Sequence, residues 1–410
     1  MQATNIDTLQ EEIDAKKRFI EALSPCRSYA DKLALANHLK SLADKEEEYE
    51  LILESQRVAA VVREHEEQHP PLTEECPICL ESICIANQEL LVYLVCCGNW
   101  LCTSCDDASK RNGSQGMSSC PLCRAELSID HEEIRNRVKQ HAEDGKAWAQ
   151  FTIGGHYWSG IEGFQVVDKK EALKWFNLAA EQHNAPSMHA LACIYEEGLE
   201  DYVEKSESKA MSLMREAADL GHTEAQCQLA DLMRDHGDED GAVLYNTLAY
   251  GQGQDLRAAC MLGNLFALRC NGGLRQSWYR AKYYLELAAQ KGYSDAYYVT
   301  ALIQFEVSDL QYKGMITTDI PGHSSIPIAL FWLRKSLVNK CDKADAIEKL
   351  EELEKSLKES CANCKKDAKC LPEPMKHCAR CKAAWYCRKE CQVQHWKDGH
   401  KIDCIKQNWK

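Results

Sequence analysis

Apolar spacing marks the first elements. Leu9, Ile13, Ile20 and Leu23 recur at intervals of four, seven and three residues, which keeps them on one helical face. Ser24-Pro25 offers an N-cap followed by a proline at the first helical position, so a second helix is expected to start there. It carries Leu33, Leu35, Leu39 and Leu42 into a charged stretch, Asp44–Glu50, and His69-Pro70-Pro71 ends the helical region. A helix of that length needs a partner for its apolar stripe. Packing inside the chain and a coiled-coil homodimer through residues 1–70 are both open.

A different pattern runs through residues 129–357. Alanines stand seven apart at Ala172/Ala179, Ala210/Ala217, Ala242/Ala249 and Ala281/Ala288, and a fifth unit has Ala329/Ser336. Three residues after each first alanine comes a large side chain: Trp175, Leu213, Tyr245, Tyr284, Trp332. The units are offset by 38, 32, 39 and 48 residues, the last stretched by an insertion around Glu306–Ile326. Such periods belong to helical solenoids. Alanine lets two helix backbones approach, and the large residue fills the groove between neighbouring hairpins. Glycines at Leu220-Gly221-His222 and Lys291-Gly292-Tyr293 break the helices, and a second small-residue register (Ala225, Ala258, Ala296, Ala344) opens the helices that follow. The pattern resembles the Sel-one-like repeat, a relative of the tetratricopeptide repeat. The fit is good at Ala172–Ala190 and Ala210–Leu229 and weakens at the shortened Ala242–Ala259. The resemblance covers more than half of the chain and implies a stacked superhelix whose concave face recruits a protein substrate or partner. The expected fold is therefore mainly α: an α-solenoid of helical-hairpin repeats, an N-terminal helical segment, and two small cysteine-rich domains at 72–128 and 358–410.

Composition sharpens this. Of 23 cysteines, seventeen fall in those two segments, and all of these but Cys84 and Cys370 form two clusters, mostly as Cys-x-x-Cys pairs. Residues 1–10 are polar and carry no basic segment followed by an apolar one, and no apolar run approaches the ~18 residues of a membrane span. A cytoplasmic or nuclear, thiol-reducing setting is expected, with no membrane partner, and there paired cysteines read as metal ligands. Net charge is −14, yet residues 358–410 hold thirteen Lys and Arg against six Asp and Glu. Seven thiolates and two zinc ions would trim that excess by about three charges. No base-stacking pattern accompanies the basic tail, so nucleic acid is not an expected partner.

The second cluster reads Cys361-x-x-Cys364, Cys378-x-x-Cys381, Cys387-x-x-x-Cys391, His400-x-x-x-Cys404. Eight ligands suffice for two tetrahedral zinc sites. The run from Cys378 to Trp396 resembles a MYND zinc finger. That family interleaves its ligands, which implies one zinc on Cys361, Cys364, Cys387 and Cys391 and another on Cys378, Cys381, His400 and Cys404. It also implies that a proline-rich peptide binds at Gln392 and Trp396. The Cys364–Cys378 loop is long and holds an extra thiol, Cys370, and His395 rivals His400 as the nitrogen ligand. MYND fingers also occur inserted in lysine methyltransferases, but the remaining chain carries no matching catalytic signature.

The first cluster reads Cys76-Pro-Ile-Cys79, Cys96-Cys97-Gly-Asn-Trp-Leu-Cys102, Cys105, Cys120-Pro-Leu-Cys123-Arg124. It resembles a RING finger in which Asn99 stands at the usual histidine. Asparagine is a poor zinc ligand among thiolates, and the adjacent Cys96 supplies the missing sulfur. The expected sites are Cys76, Cys79, Cys102 and Cys105, and Cys96, Cys97, Cys120 and Cys123, for four structural zinc ions in the chain. RING fingers dock a ubiquitin-conjugating enzyme and supply no nucleophile. The resemblance assigns docking to Ile78 and Pro121 and ubiquitin linking to Arg124, hence a ubiquitin-protein transferase. The helix after Cys105 lacks an aromatic docking residue, and a non-catalytic adaptor built from the same modules is the other reading. His65-Glu66-Glu67-Gln68-His69 matches the His-Glu-x-x-His pattern of zinc proteases, but Pro70-Pro71 follows at once and no later motif supplies a third ligand, so no protease is expected.

Overall fold

The chain was described from a computed structural model, which covers residues 6–22, 29–86, 90–112, 119–127, 130–160, 167–199, 202–267, 277–312, 326–338, 344–401 and 404. In chain order, α1 (Ile6–Ala22) and α2 (Tyr29–Gln68) precede two antiparallel hairpins, β1 (Thr73–Glu75) with β2 (Ser82–Cys84) and β3 (Leu91–Leu94) with β4 (Asn99–Cys102). After α3 (Thr103–Asn112) come α4 (His131–Glu143), α5 (Ala147–Ser159), α6 (Lys169–Ala180), α7 (Ala185–Glu197), α8 (Glu207–Asp219), α9 (Thr223–Asp235) and α10 (Glu239–Gly253). Then follow α11 (Leu256–Ala267), α12 (Trp278–Gln290), α13 (Ser294–Tyr312), α14 (Ile326–Val338) and α15 (Ala344–Leu357). A last hairpin, β5 (Lys376–His377) with β6 (Trp385–Tyr386), leads to α16 (Lys389–His395). The mainly α, repeat-solenoid class expected from the sequence is the one observed. The chain divides into two units, residues 58–255 and residues 1–57 with 256–410.

In both units the small-residue register is the helix–helix contact. All ten residues of the Ala172-to-Ser336 series are buried. The large partner shifts, however. Tyr245, Tyr284 and Trp332 are buried at the expected third position, whereas in the first two units the deepest side chains are Phe176 and Met214, one residue later, with Trp175 and Leu213 only half-buried. The closest approaches use glycine: a Cβ on Gly154 would lie 2.7 Å from the Phe176 ring, and one on Gly263 would lie 2.5 Å from Leu285 Cγ. Each of these glycines stands eighteen residues before the first alanine of its unit, Ala172 or Ala281. Side-chain caps start the helices, with Asp168, Asn184, Asp238 and Ser277 each accepting a backbone N–H of the first turn.

In unit 58–255 the first cysteine-rich segment is packed on the repeats. Tyr93 stacks on Trp148 with ring centroids 4.8 Å apart, and a ring nitrogen of His141 lies 2.9 Å from Val95 O. Cys84 sits against Gly221. The end of α2 joins the same core through Val58 and Val62, which press on Gly251.

In the other unit, Leu9 and Ile13 of α1 are buried with Leu42 of α2, so this part of the stripe is covered within the chain. The acidic run continuing to Glu54 docks on α12. Glu46 accepts from Tyr279, Glu47 pairs with Lys282, and Glu50 pairs with Arg280. The fully buried Glu54 takes Tyr284 Oη at 2.7 Å and both Arg57 and Arg280. The second cysteine-rich segment packs on Ile326 and Leu330 of α14 and on Leu350, Leu353 and Leu357 of α15. Leu23 and Ser24-Pro25, and the side chains of Leu33, Leu35, Leu39 and Ala344, lie outside the described residues.

Candidate metal centres

Four Cys-x-x-Cys turns share one local geometry. In each, the first cysteine's carbonyl accepts the N–H four residues on, 2.9 Å away in every case: Leu80, Arg124, Lys365 and Lys382. Each first cysteine also donates its own N–H to a later carbonyl, of Glu81, Ala125, Lys366 or Ala384. This forces the residue after the second cysteine into the left-handed region, with φ of 61°, 62°, 58° and 54°. The turn aims backbone N–H groups at the first sulfur. Burial opposes ionisation of Cys76, but the N–H groups of Cys102, Cys79 and Ile78 outweigh it and hold the thiol at about 6. The same contest brings Cys120 to about 7 and Cys361 to about 6.

These turns gather sixteen side chains into four clusters: Cys76, Cys79, Cys102, Cys105; Cys96, Cys97, Cys120, Cys123; Cys361, Cys364, Cys387, Cys391; and Cys378, Cys381, His400, Cys404. Their dimensions test the fit to zinc. Zn–S bonds of ~2.3 Å place sulfurs of a tetrahedron ~3.8 Å apart. The separations are 3.8 Å for Cys79–Cys102, 4.0 Å for Cys97–Cys120, 3.5 Å for Cys96–Cys123, 3.5 Å for Cys364–Cys387 and 3.7 Å for Cys378–Cys404. Cys381 Sγ lies 3.5 Å from His400 Nε2, as a mixed sulfur–nitrogen site requires. Four thiolates, or three with one imidazole, fill a tetrahedral shell and leave no open position, so zinc held here supplies folding energy, not Lewis-acid chemistry. In both segments the first and third ligand pairs share one site and the second and fourth share the other.

The ambiguous ligands separate by position. Asn99 lies exposed in β4 and joins no cluster, while Cys96 does. His395 stacks on His400 at 4.9 Å and pairs through Nδ1 with Tyr386 Oη at 3.0 Å, outside the cluster. Cys370 is exposed and stands apart. Ile78 is 43 % exposed and Arg124 is exposed, with Pro121 half-buried. On α16 Gln392 is half-buried, and Trp396, just beyond it, is 38 % exposed with its ring edge-on to His400.

The sequence reading missed one group. Asp219 joins His65 and His69 as a third potential ligand. It lies 154 residues from His65 in the chain, and no local motif announces it.

Comparison with known proteins finds family matches in two parts of the chain. The MYND finger family matches residues 361–404, and the Sel1 repeat family matches residues 149–184, 185–222 and 256–293. The Sel1 matches leave out residues 223–255, where the repeat resemblance was already weak. Similar solved structures include a protective antigen of uropathogenic Escherichia coli strains displaying an SLR fold, at 24% identity and TM-score 0.46, over 56% of this chain and 46% of that one. A Sel1 repeat protein from Oxalobacter formigenes matches at 24% identity and TM-score 0.44, over 55% of this chain and 82% of that one. This chain therefore spans less than half the length of the first. The MYND finger, the Sel1 repeats and the sulfur-rich clusters describe a zinc-binding scaffold for protein–protein interaction.

Proposed function

We propose that the protein is a RING-type ubiquitin-protein ligase acting in the cytosol or nucleus. Residues 72–128 dock the conjugating enzyme, 129–357 recruit the protein substrate, and 358–410 add a contact to a proline-rich peptide through Gln392 and Trp396. The observation that carries this is the interleaved pair of four-sulfur clusters with Ile78 and Leu80 left exposed on its first turn. Two apolar side chains held out together on one rigid zinc turn suit a contact with a partner. Arg124 is exposed beside the last turn, where a guanidinium fork suits paired carbonyls.

A second reading, a non-catalytic adaptor, is favoured by one detail. Arg124 occupies the same left-handed position as Leu80, Lys365 and Lys382, so its placement follows from the zinc turn alone.

The test incubates the protein with activating enzyme, a panel of conjugating enzymes and ubiquitin. The ligase is expected to build chains that Ile78→Ala and Arg124→Ala abolish while zinc content is retained. Absence of chains with every conjugating enzyme overturns the ligase and leaves the adaptor. The peptide contact is read separately, as loss of proline-rich peptide binding in Trp396→Ala.

A further inference from the structure

We propose that His65, His69 and Asp219 form a fifth metal site, which takes a divalent transition ion of the zinc class on two imidazoles and one carboxylate.

The helix sets up the first two ligands. His65 and His69 are four residues apart at the end of α2, and the His69 N–H still donates to His65 O at 2.7 Å, so the helical turn persists through His69 before Pro70 stops it. The two rings lie 4.9 Å apart on one face. The third ligand is the last residue of α8. Its carboxylate faces both rings, with Oδ1 3.2 Å from His65 Nε2 and Oδ2 3.8 Å from His69 Nδ1. Bonds of ~2.0–2.2 Å from zinc to nitrogen and oxygen put tetrahedral neighbours ~3.4 Å apart, between these two values. The longer one exceeds hydrogen-bond range, so hydrogen bonding alone leaves the His69 ring only near the carboxylate, while one shared ion engages both.

The surroundings complete a coordination site. Tyr245 Oη donates to Asp219 Oδ1 at 3.1 Å, which orients the carboxylate as an outer partner orients a metal ligand. The side chain of His65 is 7 % exposed and Asp219 18 %, whereas His69 is 45 % exposed, leaving one side open for water as the fourth ligand. Glu66 would be the general base of a His-Glu-x-x-His hydrolase, but it accepts from Gln252 Nε2 at 3.2 Å. The geometry thus carries metal binding that staples the end of α2 to α8, and not hydrolysis.

The experiment titrates Zn2+ into the full chain already loaded at its thiolate clusters and counts bound metal after gel filtration. A mercurial reagent that releases thiolate-held zinc counts the cysteine sites apart. One additional mercurial-resistant equivalent is expected in the native chain, absent in His69→Ala, whose exposed position spares the fold, and absent in Asp219→Asn. Tyr245→Phe is expected to weaken that equivalent by about 10–100-fold. Co2+ in the same site should show d–d absorption without a thiolate charge-transfer band. No additional equivalent in the native chain overturns the proposal, as does one that survives in both His69→Ala and Asp219→Asn. Either result leaves the count at the cysteine clusters untouched.

Discussion

Gly154 and Gly155 stand side by side in α5, and replacing each by alanine is expected to change stability in opposite directions. Both sit inside a helix, where Gly→Ala gains about 0.5–1 kcal/mol from backbone entropy. A Cβ at Gly155 meets nothing within 4 Å, so that gain stands alone. A Cβ at Gly154 lies 2.7 Å from both Cδ1 and Cε1 of Phe176 and 3.4 Å from Ala172 O. Phe176 cannot swing aside, because it is buried with Ala172, Leu191 and Ile194 and faces the rings of Phe151 and Trp158 at 5.9 and 6.3 Å. Overpacking of this kind costs about 1–3 kcal/mol, which outweighs the entropy gain and leaves a net loss of about 1–2 kcal/mol. For a unit the size of residues 58–255, each kcal/mol moves the midpoint by about 2–4 °C, so the two variants should melt about 3–12 °C apart. Thermal unfolding of the zinc-loaded chain by far-UV circular dichroism, checked by urea midpoints, measures the gap. Gly154→Ala melting at or above Gly155→Ala would refute the claim that this position is set by backbone approach.

Three further outcomes follow from named contacts. Cys96→Ser should lower bound zinc by one equivalent and Asn99→Ala should leave it unchanged, as counted by metal analysis; the reverse result would restore Asn99 as the ligand. His222 accepts the Ala225 N–H through Nδ1, and burial, helped by nearby His189, holds it down at about 3. The unfolded histidine titrates near 6.5, so this stability is complete above about pH 6.5 and is lost as pH falls toward 3, by up to about 1.4 kcal/mol per pH unit. Urea midpoints between pH 7 and 5 should show a steeper decline in the native chain than in His222→Asn, and equal slopes would remove His222 as the source. Tyr284→Phe deletes the buried hydroxyl that donates to the Glu54 carboxylate at 2.7 Å, a bond to a charged acceptor worth about 1.5–3 kcal/mol. A loss under about 0.5 kcal/mol by denaturant titration would mean that Arg57 and Arg280 alone satisfy Glu54.

What the sequence made legible was whatever repeats at short range. Ligand pairs such as Cys361-x-x-Cys364 carry their geometry in their spacing, and Ala172/Ala179 carries theirs in the helical period. Contacts between distant segments leave no such mark. The Glu46–Glu54 run reads as a solvated charged stretch until α12, more than 200 residues on, brings Tyr279, Arg280, Lys282 and Tyr284 to it. Asp219 escaped for the same reason, and with it the third ligand that His65 and His69 lacked. The four left-handed residues after the zinc turns escaped for another. None of Leu80, Arg124, Lys365 and Lys382 is a glycine or an asparagine, so residue type gives no hint of the left-handed conformation they share. That independence bears on function. The turn dictates the backbone at Arg124 through the N–H it donates to Cys120 O and through the N–H of Cys120 bonded to Ala125 O, and neither involves the guanidinium. Exchanging Arg124 for another side chain should therefore leave zinc and fold in place. Any activity lost with it would belong to the contact the guanidinium makes with a partner, which makes Arg124→Ala a cleaner probe of ubiquitin transfer than any cysteine substitution.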